Sequence, residues 1–341
     1  MAAGIDVKRA KTTRYGISVG KIAGIEIAPQ QVDATRFAPS PNGRLHLGHA
    51  FSAMCAHDFA RANGGRFLLR IEDIDGTRSR PEHIEAILED MDWLGLVPDG
   101  PIVFQSRRID SYRNALERLH AMGLVYRCWC TRSEIAEALR HRPVRHGPDG
   151  PVYPGTCKRR SDGEGDFCWR LDMERALSIP LPPAEGVREG AELAKTSDRP
   201  SASPSSKREG GLPGWTDLAA GVRHADPMQF GDVILWRKDA PASYHLAATL
   251  DDAADGISHV VRGMDLFAYT AIHRLLQILL ELPEPFYWHH PLLLDEKGEK
   301  LAKSRLSQPL SLLRDKGISG IECIDRLRQG QLPLGITRSS P

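Results

Sequence analysis

No run of apolar residues approaches the ~20 that a membrane-crossing helix needs. The opening stretch, MAAGIDVKRAKTTRYG, is basic but lacks the apolar core of a signal peptide, so a cytoplasmic location is expected. Charge of one sign is scarce. The 45 Lys and Arg residues nearly cancel 44 Asp and Glu, for a net charge of +1. That excludes attraction to nucleic acid through overall charge, although a local basic face is still allowed. Cysteine is sparse too. There are six, at 55, 128, 130, 157, 168 and 323, too few for a disulfide scaffold in a chain of 341 residues. Three of the six crowd into 128–157, which in a reducing compartment points to a metal. No internal repeat is present.

An apolar content of 41% and a charged content of 26% suit a globular protein with a real core. Residues 1–33 are polar, with little periodicity, and read as a tail. From Thr35 strands and helices alternate: TRFAPS is a strand entering a turn, LHLGHAFSAMCAHDFARANGG a helix, RFLLRIED a buried strand, and a helix opens at Pro81. This rhythm predicts an α/β fold built on a parallel sheet, with ligands bound at the carboxyl ends of its strands. Residues 34–123 form the first half of that domain. Residues 124–214 break the rhythm and read as an insertion carrying the cysteine cluster. Its Ser-, Pro- and Gly-rich stretch 182–214 is expected to be a mobile surface loop. The rhythm returns over 215–290, and 291–341 holds a polar loop and one or two short helices.

Two short patterns carry chemistry. In His46-Leu47-Gly48-His49, residues three apart share one face at a helix start, so both imidazoles can point the same way. Gly48 lets a ligand ring approach the backbone, and a helix N-terminus favours anions. Pro39 and Pro41 stiffen the approach. This arrangement suits a nucleoside triphosphate. In Lys300-Leu301-Ala302-Lys303-Ser304, two lysines on a short loop can close over phosphates as movable charges. Cys128, Cys130 and Cys157 supply three thiolates, and a fourth donor nearby would complete a tetrahedral Zn²⁺ site with no open position, hence a structural one. Trp93, Leu94 and Leu96 read as core, Cys55 and Cys323 as small buried thiols, and His289–His290 as packed histidines that could approach the nucleotide.

An HxGH at the first strand–helix turn, with a KxxKS near the end of an α/β chain, resembles the class I aminoacyl-tRNA synthetases. RFAPSPNGRLHLGHA, RIEDID, VRGMDL and KLAKS, in that order, resemble the glutamyl-tRNA synthetase core over roughly residues 34–310. The resemblance implies a Rossmann-like catalytic domain with an inserted zinc-bearing subdomain. It assigns Arg36, Ser40, Glu72, Tyr244 and Arg262 to L-glutamate, without saying which arginine takes which carboxylate. His46, Gly48, His49 and Lys303 fall to ATP, which enters with Mg²⁺, and His46, His49, Lys300 and Lys303 to catalysis. The family's C-x-C…Y-x3-C pattern makes Tyr153 the fourth zinc ligand, beside the alternatives His141, His146 and Cys168. Little chain lies between Ser304 and Pro341, so no anticodon-binding domain is expected. In this the chain resembles the truncated paralogues that attach glutamate to the queuosine base at the wobble position of tRNA(Asp). A monomer is expected. The rivals are a conventional enzyme charging tRNA(Glu), a glutaminyl enzyme, a small-molecule nucleotidylyltransferase and a catalytically inactive RNA-binding paralogue.

Overall fold

The computed structural model describes residues 20–22, 25–27, 31–140, 143–179, 213–224, 226–301 and 308–339. The 1–33 stretch, read as a tail, holds an antiparallel pair, β1 (Gly20–Ile22) and β2 (Ile25–Ile27). Ile22 and Val32 are buried in the main core, where β1 packs against α1.

The catalytic half begins with β3 (Ala34–Phe37), α1 (Leu47–Ala62), β4 (Arg66–Ile71), α2 (Pro81–Trp93), β5 (Val103–Phe104) and α3 (Ile109–Ala121). Strands β3, β4 and β5 pair in parallel, as strand–helix–strand connections require. Beyond them come β6 (Val125–Cys128), α4 (Arg132–Arg140), the short pair β7 (His146–Gly147) and β8 (Gly150–Pro151), β9 (Cys168–Leu171) and α5 (Met173–Ser178). Of the loop read at 182–214, residues 182–212 lie outside the described residues, and Gly214 already opens β10 (Gly214–Asp217). Then follow β11 (Gly221–His224), β12 (Ile234–Trp236), α6 (Tyr244–Ala254), β13 (His259–Gly263), α7 (Thr270–Leu279), β14 (Phe286–His290), β15 (Leu293–Leu294), α8 (Leu310–Asp315), α9 (Gly320–Arg328) and β16 (Thr337–Arg338).

The second strand set runs β11-β10-β14-β13, with β13 and β14 parallel. Its β13 comes alongside β3, where Ser258 N donates to Ala34 O at 3.2 Å. Strand order therefore reverses between β3 and β13, the place where open α/β sheets bind ligands. Side chains alternate across this sheet. Val261 and Trp288 join the α1 core, while Val260 and Tyr287 pack with Trp215, Leu68 and Ala34 on the opposite face. Trp93, Leu94 and Leu96 sit in the α1 core or against it, with Cys55 and Cys323 buried beside them. GDVILWRKD, read as the return of the main rhythm, goes elsewhere. Its β12 pairs antiparallel with β9, completing a separate three-stranded sheet, β12-β9-β6.

Candidate active site

The carboxyl ends of β3, β4, β13 and β14 open onto a cleft of about 630 Å³. It is lined by all five residues assigned to glutamate, Arg36, Ser40, Glu72, Tyr244 and Arg262, and by His46, Gly48, His49 and Lys300. Ser40 follows β3, Glu72 follows β4, and Arg262 lies in β13, so the parallel sheet gathers residues far apart in sequence.

His46 is the N-cap of α1 and adopts an extended backbone. Its Nδ1 accepts from Gly48 N at 3.1 Å, and His49 Nδ1 accepts in return from His46 N at 3.2 Å. This is a capping box built from two imidazoles. The bonding fixes both tautomers: with Nδ1 accepting, each neutral ring carries its proton on Nε2. The His46 and Gly48 amides are thus committed to the rings rather than presented bare, and the rings become the donors. Gly48 has a role beyond admitting a ligand. A Cβ there would stand 3.0 Å from His46 Cε1, so the glycine makes room for the capping ring.

Behind the cleft lies a charge network whose carboxylates on and beside α6 belong to none of the sequence motifs. Arg36 holds Asp252 in a fork, Nε to Oδ1 at 2.8 Å and Nη2 to Oδ2 at 3.2 Å. Arg70, fully buried, donates to the same Oδ1 at 2.7 Å and lies 3.6 Å from Glu72 Oε1. Asp251 receives Gln105, Arg108 and Tyr112, and Asp255 receives Arg108. Asp251 and Asp252 lie in the last turn of α6 and Asp255 is its C-cap, so DDAAD places all three on one side. Burial pushes the Glu72 carboxyl up to about 7, against the pull of Arg70 and Arg36. Ser40 Oγ donates to Glu72 Oε2 at 3.5 Å.

Arg262 is 4% exposed and has a different set of partners. Its Nε donates to His289 Nε2 at 3.0 Å, Nη2 to Thr270 Oγ1 at 2.7 Å, and Nη1 lies 3.1 Å from His273 Nδ1 and 3.5 Å from the Tyr244 hydroxyl. Among the described residues no carboxylate pairs with it directly. Tyr244 itself is set by an unusual turn: Ala242 has φ 58, and Ser243 caps α6 while its N–H donates to Leu235 O at 2.8 Å. His290, at the end of β14, lines the cleft and lies 3.0 Å from Ser52 Oγ.

Lys300 pairs with Asp265 at the cleft rim. Lys303 lies outside the described residues, as does His141. The chain on either side of 302–307 is anchored at the start of α1. Leu301 Cβ comes within 3.7 Å of the Cβ position of Gly48, and Leu310 N donates to Leu45 O at 2.9 Å.

The sulfurs of Cys128, Cys130 and Cys157 lie within 4.8 Å of one another, with Cys130 and Cys157 3.4 Å apart. Zn–S bonds of ~2.3 Å in a tetrahedron put sulfurs ~3.8 Å apart, so the cluster fits zinc with little adjustment. The Tyr153 hydroxyl is 3.3 Å from Cys128 Sγ and 3.6 Å from Cys130 Sγ, which favours it as the fourth donor. Cys168 lies opposite Cys128 on β9 but outside this group, and His146 sits on the exposed β7. A hydrogen bond from Cys168 and the Arg170 guanidinium draw the Cys128 thiol toward its ionised, metal-binding form.

The family model for class I tRNA synthetases (E and Q), catalytic domain, matches residues 32–166 and 205–329. The chain belongs to the class I glutamyl and glutaminyl tRNA synthetases. It is 45% identical over 287 residues to the glutamyl-Q tRNA(Asp) synthetase of Rhodobacter capsulatus, an alignment spanning 84% of this chain and 96% of that protein. The protein of the same name from Symbiobacterium thermophilum is 39% identical over 83% of this chain and 82% of its own. Among solved structures, a glutamate tRNA ligase from Elizabethkingia meningosepticum in complex with its amino acid superposes with a TM-score of 0.58 at 28% identity, covering 81% of this chain. The synthetase spans about half that ligase, 53% of its length. The α/β fold with a parallel sheet follows from family and topology alike, and the family makes the chain a ligase-type enzyme. No described helix is long and apolar enough to cross a membrane.

Proposed function

We propose that this synthetase activates L-glutamate with ATP and transfers it to the queuosine base at the wobble position of tRNA(Asp). The observation that carries the amino acid assignment is that one cleft holds Arg262, a buried guanidinium with neutral partners, Glu72, a largely buried carboxylate, and two histidines. Arg36 already has its carboxylate in Asp252. Among the described residues of the cleft, Arg262 is the guanidinium without one, and it takes the side-chain carboxylate of glutamate. Glu72 takes the ammonium, with Ser40 and Tyr244 adding hydroxyl contacts. The α-carboxylate is then left facing the histidine end, where it must react.

Its oxygen attacks the α-phosphorus of ATP, which enters as the Mg²⁺ complex, and the bond to pyrophosphate breaks. Charge grows on phosphate oxygens. His46 and His49, each with its proton on Nε2, and Lys300 and Lys303 stabilise that charge. In the second step a hydroxyl of the modified base attacks the acyl carbon and AMP leaves. Cys128, Cys130, Tyr153 and Cys157 would hold one structural Zn²⁺, which would supply a cross-link between β6 and the loop carrying Tyr153 and Cys157. The enzyme works in the cytoplasm as a monomer.

The acceptor assignment draws its support from relatives named for tRNA(Asp) that match over 96% and 82% of their lengths. Charging queuosine-containing and queuosine-lacking tRNA(Asp) side by side with labelled glutamate tests it. Label on the modified RNA alone is expected. Label on both, or on unmodified tRNA(Glu) in preference, would replace this acceptor with a conventional one.

A further inference from the structure

A buried guanidinium needs acceptors for its N–H groups, and the usual solution is a carboxylate. That solution would defeat a receptor for a carboxylate ligand, because the charge the ligand must answer would already be answered. Arg36 with Asp252 illustrates it. Arg262 avoids it, with a hydroxyl and two imidazoles in place of a carboxylate. We infer that His289, held in one tautomer by Asp217, is the positioning residue that keeps Arg262 open to a ligand carboxylate and so sets the preference for glutamate over glutamine. This rests on the assignment of Arg262 to the side-chain carboxylate above.

The geometry leaves one arrangement of protons. Arg262 Nε always donates, so His289 Nε2 accepts at 3.0 Å and the ring proton sits on Nδ1. That proton goes to Asp217 Oδ2 at 2.6 Å, and His289 N donates to the same oxygen at 3.3 Å. The other oxygen, Oδ1, is fixed by Ala219 N at 3.0 Å and Ala220 N at 2.9 Å. Asp217 therefore satisfies its charge on four donors, one imidazole away from Arg262. Arg262 and His289 lie directly opposite each other on β13 and β14, so the sheet itself sets their separation. The Tyr287 ring lies parallel to the His289 ring with centroids 5.9 Å apart, and Phe267 packs edge-to-face with it at 4.9 Å, so the imidazole sits among aromatic neighbours. Burial keeps His289 neutral, at about 4, so it remains an acceptor at working pH.

Asp217→Asn is the informative substitution. Its amide oxygen stays with the two backbone N–H groups, which puts the amide nitrogen where Oδ2 was. It then donates toward His289 Nδ1, drives the ring proton to Nε2 and sets donor against donor at Arg262. The readout is the ratio of kcat/KM for glutamate over glutamine in ATP–pyrophosphate exchange, which does not depend on the fraction of protein folded. Asp217→Asn and His289→Leu should each lower that ratio about tenfold to hundredfold, the worth of a buried hydrogen bond to a charged group. The change should appear mainly in glutamate KM, with ATP KM unchanged. His289→Gln, which can still offer an acceptor to Arg262, should recover most of the ratio. A parent enzyme active with glutamate whose Asp217→Asn and His289→Leu variants keep the parent ratio overturns the inference alone. A parent without glutamate-dependent exchange overturns the proposed function with it.

Discussion

Glutamate binding should weaken as pH falls through about 7, and the cause is Glu72. Desolvation outweighs the pull of Arg70 and Arg36 and leaves this carboxyl titrating near 7 in the free enzyme. Only the ionised form can hold the ligand's ammonium. At pH 8 about nine-tenths of the enzyme is ready; at pH 6 about one-tenth is. Affinity should thus fall about tenfold per pH unit below 7, and binding should release a proton there, because the ammonium selects the charged form. Four buried histidines near Arg262 stay neutral across this window. His245, His289 and His290 are pushed to about 4 by burial, and His273 well below its ordinary value. Glutamate's own groups titrate outside the window. Calorimetry without ATP, from pH 5.5 to 8.5 in two buffers of different ionisation enthalpy, measures both quantities. Glu72→Gln should bind weakly with a flat profile. Affinity in the parent that stays constant between pH 6 and 8, with no proton released, would refute the reasoning.

Other outcomes follow from the same geometry. His46→Asn keeps an acceptor for Gly48 N but loses the Nε2 donor, so melting temperature should hold while kcat for exchange falls ~10²-fold; His46→Ala should lose both activity and about 1 kcal/mol of helix capping. Equal stability of the two variants would contradict the double role of the ring. Lys303→Ala should abolish most glutamate-dependent pyrophosphate exchange, and an unimpaired variant would remove that lysine from the mechanism. Metal analysis should find one zinc per chain, lost in Cys157→Ser together with several degrees of melting temperature. A purified protein that carries no zinc and gains no stability from it would contradict the site.

What could be read from the sequence was what lies close together in it. The HxGH turn and the crowded cysteines each sit within a few dozen residues, the strand–helix rhythm to α3 links neighbours along the chain, and their spacing carries the geometry. The partners that tune them do not. Asp252 meets Arg36 across 216 positions and Arg70 across 182. No periodicity in α6 announces that its aspartates face inward onto arginines rather than outward to water. His289 read as an ordinary packed histidine because its meaning depends on Asp217 and Arg262, which arrive from two other strands. The pairing of β12 with β9 was hidden for a related reason. A short apolar strand does not say which of two sheets will have an open edge. The helix-start motif was legible as a face but not as a cap, since only coordinates show each Nδ1 turned back onto the backbone.

The most direct test of the account is a crystal structure with a non-hydrolysable glutamyl-adenylate mimic. The side-chain carboxylate should lie on Arg262, the ammonium on Glu72, and the phosphate-replacing group against His46 and His49. A mimic seated with its carboxylate on Arg36, or lodged away from these residues altogether, would contradict it.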